Sequence, residues 1–354
     1  MGNAADPQGL FRGGRFHHYR RRAAGEETMI SRRSLILGFG SIPFPVRRLR
    51  AQTMKARRIG LLSAGAPLTD TNPLVIGLSA GFTKRGYVVG GSLLFERRNA
   101  QGHVDQLPQL VDELVKTEAE LIITLSYAAA RIAKERAPVP LVVLTGADPV
   151  ALGLINSLAR PGGNITGIGE VAAELSAKRL EVLKETFPGL HKVAMLWNAN
   201  DLGMTLRYNA ANAAARTLGL EVEPLGVREP DDFAAAFSAM ARDRPDAILM
   251  VTDALTSLNR KRVFEFAAEQ RLPAIYEYHD LVRDGGLMSY GPDMAEVYDR
   301  AAELADRILK GAKVADLPFE LPTRFRLAIN MNTAAALGLT IPQSILLRAD
   351  EVIE

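Results

Sequence analysis

The side chains best placed for chemistry in this chain are polar and aromatic residues at the ends of short apolar runs. Ser63 closes IGLLS (59–63), Thr124 lies in ELIITL (120–125) with Ser126 and Tyr127 following, and Thr145 ends PLVVLT (140–145) ahead of Asp148. A second set repeats the arrangement. Trp197, Asn198 and Asn200 fall at the end of KVAMLW (192–197), Thr252 and Asp253 after DAILMV (246–251), and Tyr276 and Glu277 at PAIY (273–276). Hydroxyls and free N–H groups at helix N-termini would take a carboxylate. Asp148, Asp253 or Glu277 would take an ammonium, and aromatic faces would pack a ring or help hold a cation. The set suits a small polar ligand with an apolar body. Each residue also has a plainer reading as a cap or turn, because Ser, Thr, Asp and Asn commonly cap helices. Trp197 and Tyr290 fit hinge packing equally well.

Other chemistries lack their residues. The stretch TGADPVALGLINSLARPGGNITGI (145–168) is rich in glycine, but no lysine occurs between Lys134 and Lys178, so a phosphate-cradling loop is not formed. Gly163, Gly167 and Gly169 lack the dinucleotide spacing. His103, His191 and His279 show no metal-ligand spacing, and no Gly-x-Ser-x-Gly elbow is present. No catalytic residue, metal or cofactor is expected. Pro161-Gly162 suits the centre of a type II turn, where glycine accepts a positive φ. On this reading 150–160 is a helix, and 161–168 a turn and strand that cross between two bodies as a hinge.

These candidates need a scaffold that brings strand ends together. From Arg57 the chain alternates β-rich apolar runs with amphipathic stretches, the pattern of α/β architecture with parallel sheets. Helices are expected near 203–217, 231–241, 256–269 and 292–310. IGLLSAG…KRGYVVGGSLLFE parallels VAMLWNAN…TLGLEVEPLGV in order and spacing, so one lobe architecture is used twice. In open α/β sheets ligands bind outside the strands' carboxyl ends, which places the two residue sets across a cleft.

Composition agrees with a soluble two-domain body: 354 residues, 47% hydrophobic and 23% charged. The net charge of +3 is unevenly placed. Residues 1–56 hold 11 Lys+Arg against 3 Asp+Glu, which leaves 32 against 37 for the remainder. A mildly acidic body argues against a nucleic-acid partner. MISRRSLILGFGSIPFPVRRLRAQT (29–53) has the basic start, short apolar run and small residue of an export signal, and Ser31-Arg32-Arg33 resembles a twin-arginine one. The alternative is a disordered basic tail; residues 1–28 ahead of the signal read as a disordered stretch or as an overextended reading frame with the true start at Met29. There is no cysteine, hence no disulfide, thiol nucleophile or lipid-bearing thiol.

The segments ADPVALGLINSLARPGGNITG, VAMLWNAN, LPAIYEYHDLVRDGGLMSYGPD and INMNTAAALGLTIPQSILLRADEVIE resemble the ABC transporter substrate-binding family related to tryptophan/tyrosine-binding components. The resemblance runs from about Arg57 to Glu354. It implies a type I periplasmic-binding fold of two Rossmann-like lobes joined by hinge crossovers. It further implies an exported, non-enzymatic monomer that closes on a small molecule, by default an amino acid, and docks on a permease. The family's ligand positions carry over where motifs match: Ser63, Ala64 and Gly65; Thr124, Ser126 and Tyr127; Thr145 and Asp148; Trp197, Asn198 and Asn200; Asp253; Tyr276 and Glu277; and Tyr290 at the return crossover. The chain departs at Leu125-Ser126-Tyr127, where relatives commonly have a Gly-Thr-type turn, and Tyr127 would then intrude on the cleft. The expected division is 1–56 as extension and export signal, 57–163 plus 290–320 as lobe one, and 164–289 plus 321–354 as lobe two. An α/β enzyme or a ligand-sensing regulatory domain would use the same cleft.

Overall fold

The computed structural model describes residues 55–170 and 172–354. The export segment expected at 29–51 lies outside the described residues. Fully apolar strand sequences need cover on both faces, so they form central parallel strands. The first lobe lays down β1 (Arg57–Ser63), α1 (Pro73–Lys84), β2 (Leu93–Asn99), α2 (Leu107–Lys116), β3 (Leu121–Leu125), α3 (Tyr127–Arg136), β4 (Leu141–Leu144) and β5 (Ile165–Ile168). The chain then crosses to α4 (Ala172–Thr186), β6 (Lys192–Asn198), α5 (Leu202–Thr217), β7 (Glu221–Val227), α6 (Asp232–Arg242), β8 (Ala247–Met250), α7 (Ala254–Leu258), α8 (Arg260–Gln270), β9 (Ala274–Tyr276), α9 (His279–Arg283) and β10 (Met288–Pro292). It returns for α10 (Met294–Leu309) and β11 (Phe319–Glu320). It then crosses a third time to β12 (Phe325–Asn330), α11 (Met331–Leu337), α12 (Gln343–Leu346) and β13 (Glu351–Ile353).

The first sheet runs β11-β5-β4-β3-β1-β2 and is parallel throughout. The second runs β13-β12-β10-β9-β8-β6-β7 and is parallel except where β12 pairs antiparallel with β10. The expected two-lobe α/β architecture is therefore present. Each sheet is sandwiched: α1 and α10 cover one face of the first, α2 and α3 the other.

Three expectations need correction. Residues 150–160 form turns, not a helix: Gly153 has φ +68° and the N–H groups of Leu154 and Ile155 both reach Pro149 O. Gly162 does take a positive φ, +81°, but the turn lies one residue beyond the expected Pro161-Gly162 centre, at Gly163 and Asn164. β5, which the boundary at 163/164 gave to the second lobe, is hydrogen-bonded between β4 and β11 in the first sheet. A strand held on both sides cannot be the hinge, so the crossing begins after Ile168. β10 likewise belongs to the second sheet, so the return begins at Asp293, not at Tyr290.

α1 lies close against α10 because α1 offers glycine there. A Cβ on Gly77 would fall inside the Tyr298 side chain, and one on Gly81 would lie 2.7 Å from the Ala302 Cβ. Gly77→Ala is expected to cost about 1–3 kcal/mol through overpacking, despite alanine's better helix propensity. A urea melt that shows a gain in stability would refute this packing.

Candidate functional site

Both sheets reverse strand order at one point, between β1 and β3 in the first and between β6 and β8 in the second. Ligand crevices in such sheets open there. The two sets of strand ends face each other across a seam where the lobes touch. A Cβ on Gly65 would lie 3.5 Å from the Ala254 Cβ, and one on Gly203 would lie 2.9 Å from the Ala147 Cβ. A Cβ on Gly146 would fall on the Arg207 guanidinium, with the Tyr278 hydroxyl 3.2 Å away.

In the first lobe, Ser63 is buried and its Oγ accepts from Gly65 N, which shapes the Ser63-Ala64-Gly65 loop. Thr145 Oγ1 accepts from Ala147 N. Ser126 caps α3, accepting from Ala129 N, and does so at φ +104°, a region that favours glycine. Strain of this kind persists where surrounding structure holds it, commonly at ligand sites. Thr124 Oγ1 is fully buried with no hydrogen-bond partner. Tyr127 does not enter the cleft as a free hydroxyl: it donates to Leu152 O at 3.0 Å within its own lobe. Asp148 is exposed, and its Oδ1 accepts from Val150 N and Ala151 N, a turn role.

In the second lobe, Asp253 caps α7 in a capping box with Thr256 and accepts from Asn198 Nδ2. Asn198 Oδ1 in turn accepts from Asn200 N. Asp253 has no cation partner among the described residues, and burial, opposed by bonds from Thr256 and Asn198, pushes its carboxyl above the usual range. Beside it Thr252 Oγ1 is buried and unpaired. Three aromatic candidates are engaged elsewhere. Trp197 stacks on Tyr208 at 4.1 Å, Tyr276 is 1% exposed against Phe264, and Tyr290 stacks on Phe325.

Glu277 is also fully engaged, in a group the sequence reading missed. Its carboxylate accepts from Arg179 Nη1 at 2.8 Å, from Arg207 Nη1 at 2.6 Å and from Thr252 N at 3.1 Å. Arg207 Nη2 also donates to Glu170 at 3.2 Å, and the Tyr278 hydroxyl donates to the same carboxylate. Arg179 and Glu277 are 0% exposed, Arg207 1% and Glu170 6%. Two guanidinium groups and two carboxylates make the group neutral, the condition on which charges can be buried. Burial nonetheless pushes the Glu170 carboxyl up, outweighing Arg207. Burial works against the charge on Arg207, yet Glu277 and Glu170 hold its pKa above the ordinary value. With its oxygens taken by two arginines, Glu277 is not the ammonium partner that its strand-end position suggested.

A signal for this group was in the helices. Leu175, Arg179 and Leu183 recur at four-residue spacing on α4, and Met204, Arg207, Ala211 and Ala215 at three- and four-residue spacing on α5, so each arginine sits in a buried stripe. A buried arginine demands an anion.

No group of three or more His, Cys, Asp or Glu able to hold a metal occurs among the described residues. Nor is any described helix long and apolar enough to cross a membrane.

Known proteins extend this picture. Residues 71–353 match the family described as ABC transporter substrate binding protein. The tyrosine-binding protein of Clostridioides difficile (strain R20291) is 26% identical over 264 residues, 73% of this chain and 76% of that protein. An ABC domain from Streptococcus pneumonia in complex with L-Trp superposes with a TM-score of 0.77 at 24% identity, covering 84% of this chain and all of that one. The ligand-free, open structure of a substrate-binding protein with adhesive properties from Clostridium difficile gives 0.59 at 22% identity, with 84% and 99% covered. Membership implies a small-molecule ligand and a permease partner, and the family is one of solute-binding proteins rather than enzymes. With four-fifths of its length matched, two parallel α/β lobes and polar strand ends meeting at a seam, the chain belongs to the ABC transporter substrate-binding protein family.

Proposed function

We propose that this protein is the exported solute-binding component of an importer and captures an α-amino acid between its lobes. The observation that carries the reading is Asp253, a carboxylate at the seam with no cation of its own. Nearby Asp201 raises its pKa further, so the surroundings favour an incoming ammonium. On the opposite lobe the first turn of α3 behind Ser126 supplies N–H groups and a positive helix end for a carboxylate. Thr124 and Thr252, unpaired on either side, would complete their bonding on the ligand. An aromatic amino acid is the first choice of ligand, because the relatives bind tyrosine and L-Trp. Closer superposition on the L-Trp complex than on the open structure supports a closed arrangement of the lobes.

Hinge bending in this reading falls on the three crossings at 169–170, 293 and 321–324. Export rests on the signal layout of 29–51, and places the protein in the periplasm beside a membrane permease.

Thermal-shift titration tests the ligand. L-tryptophan or L-tyrosine at about 100 times Kd should add about 2.7 kcal/mol, and N-acetylation or amidation of that amino acid should abolish the shift. A shift that survives N-acetylation would overturn the role given to Asp253.

A further inference from the structure

We propose that Arg207, seated on Gly146, is a positioning residue that holds the lobes together and so sets ligand affinity without touching the ligand. The inference rests on the two-lobe capture reading above. Arg207 extends from α5 of the second lobe and is 1% exposed. Its guanidinium is oriented by Glu277 and by Glu170, the residue on the first crossing. So held, it presents Nη2 to the first lobe at Gly146, where the three nearest neighbours of an added Cβ are Arg207 Nη2, Arg207 Cζ and the Tyr278 hydroxyl. All three belong to the opposite lobe.

Gly203 lies one helical turn before Arg207, on the same face of α5. A Cβ there would meet Ala147 at 2.9 Å and Leu152 at 3.2 Å, both in the first lobe. Neither Gly146 nor Gly203 has a positive φ. Their lack of a side chain is therefore not demanded by backbone conformation, and it serves the approach of the other lobe. The seam thus has a fixed cation on one side and a bare peptide on the other. A ligand-bound closed state that cannot seat this contact is less populated, and apparent affinity falls in proportion.

The lack of any cysteine in the chain makes closure measurable. Gly65→Cys with Ala254→Cys places a pair across the seam at 3.5 Å between Cβ positions, within disulfide reach. Under mild oxidant and without ligand, the crosslinking rate reports how often the lobes meet. Adding Gly146→Ala should slow it about tenfold, while the melting temperature holds because no neighbour in its own lobe is displaced. Arg207→Lys keeps a cation for Glu277 but loses the planar fork that reaches two carboxylates and Gly146, and it should slow crosslinking as well. An unchanged rate in both variants overturns the inference. So does a slower rate in Gly146→Ala that comes only with a matching loss of melting temperature. If neither L-tryptophan nor L-tyrosine stabilises the protein, yet crosslinking still responds to Gly146→Ala, the contact stands and the amino-acid reading falls.

Discussion

Glu277→Ala should cost the protein about 3–5 kcal/mol, the range for breaking a buried ion pair by removing one partner. Three features place this change above surface pairs. Glu277 is 0% exposed, so water cannot replace it. It accepts from both Arg179 and Arg207, so its loss leaves two guanidinium groups with Glu170 alone, a net charge of +1 in a buried group that was neutral. It also accepts from Thr252 N, which would join Arg179 Nη2 and Arg207 Nε as an unpaired donor. By contrast Lys178–Glu181 lies on the surface, where both ends keep their hydration and the pair is worth little. Urea unfolding followed by a probe in the second lobe reads the effect. A loss under about 1 kcal/mol would mean that the arginines find other partners. Glu277→Gln keeps an acceptor for Thr252 N and should fall between the two.

If the ligand is the proposed amino acid, Asp253→Asn should lower its affinity about 10- to 100-fold, the worth of a hydrogen bond to a charged group. Stability should change little, because the asparagine carbonyl can still cap α7. The pH dependence gives the sharper test. Burial raises the Asp253 carboxyl pKa in the folded protein, so the folded state holds this proton more tightly than the unfolded chain. Its contribution to stability is full below the ordinary carboxylate range and is lost as pH rises through the raised folded value. Ammonium binding needs the ionised form, so affinity should rise with pH across that same interval. In Asp253→Asn both slopes should vanish, a result calorimetry at several pH values can read. A wild-type affinity flat across the acid range would remove Asp253 from the ligand.

Much of the architecture was legible because parallel strands buried on both faces read as apolar runs. IGLLS, ELIITL, AILM and their neighbours carry that signal. Strand ends were legible for the same reason, and Ser63, Thr124, Asn198 and Asp253 do lie at the order reversals of the two sheets. What was not legible is how each side chain spends its bonding capacity. Trp197 and Tyr276 sit at strand ends but turn into packed cores, since an aromatic ring gains more from burial than from a polar rim. Glu277 resembled a free acid because its two arginines lie 98 and 70 residues away in sequence. The turns at 150–160 hid behind apolar spacing, and the strand β5 hid its lobe because pairing partners are not written in a four-residue segment.

The threefold crossing of the chain also shapes how the molecule is made. The first sheet is not complete until β11 at Phe319–Glu320, and the second not until β13 at Glu351–Ile353. Each sheet therefore lacks a strand until nearly the whole chain has left the ribosome. Contacts this distant in sequence form slowly, because loop closure precedes their reward. The nascent chain therefore has a long interval in which neither lobe is finished.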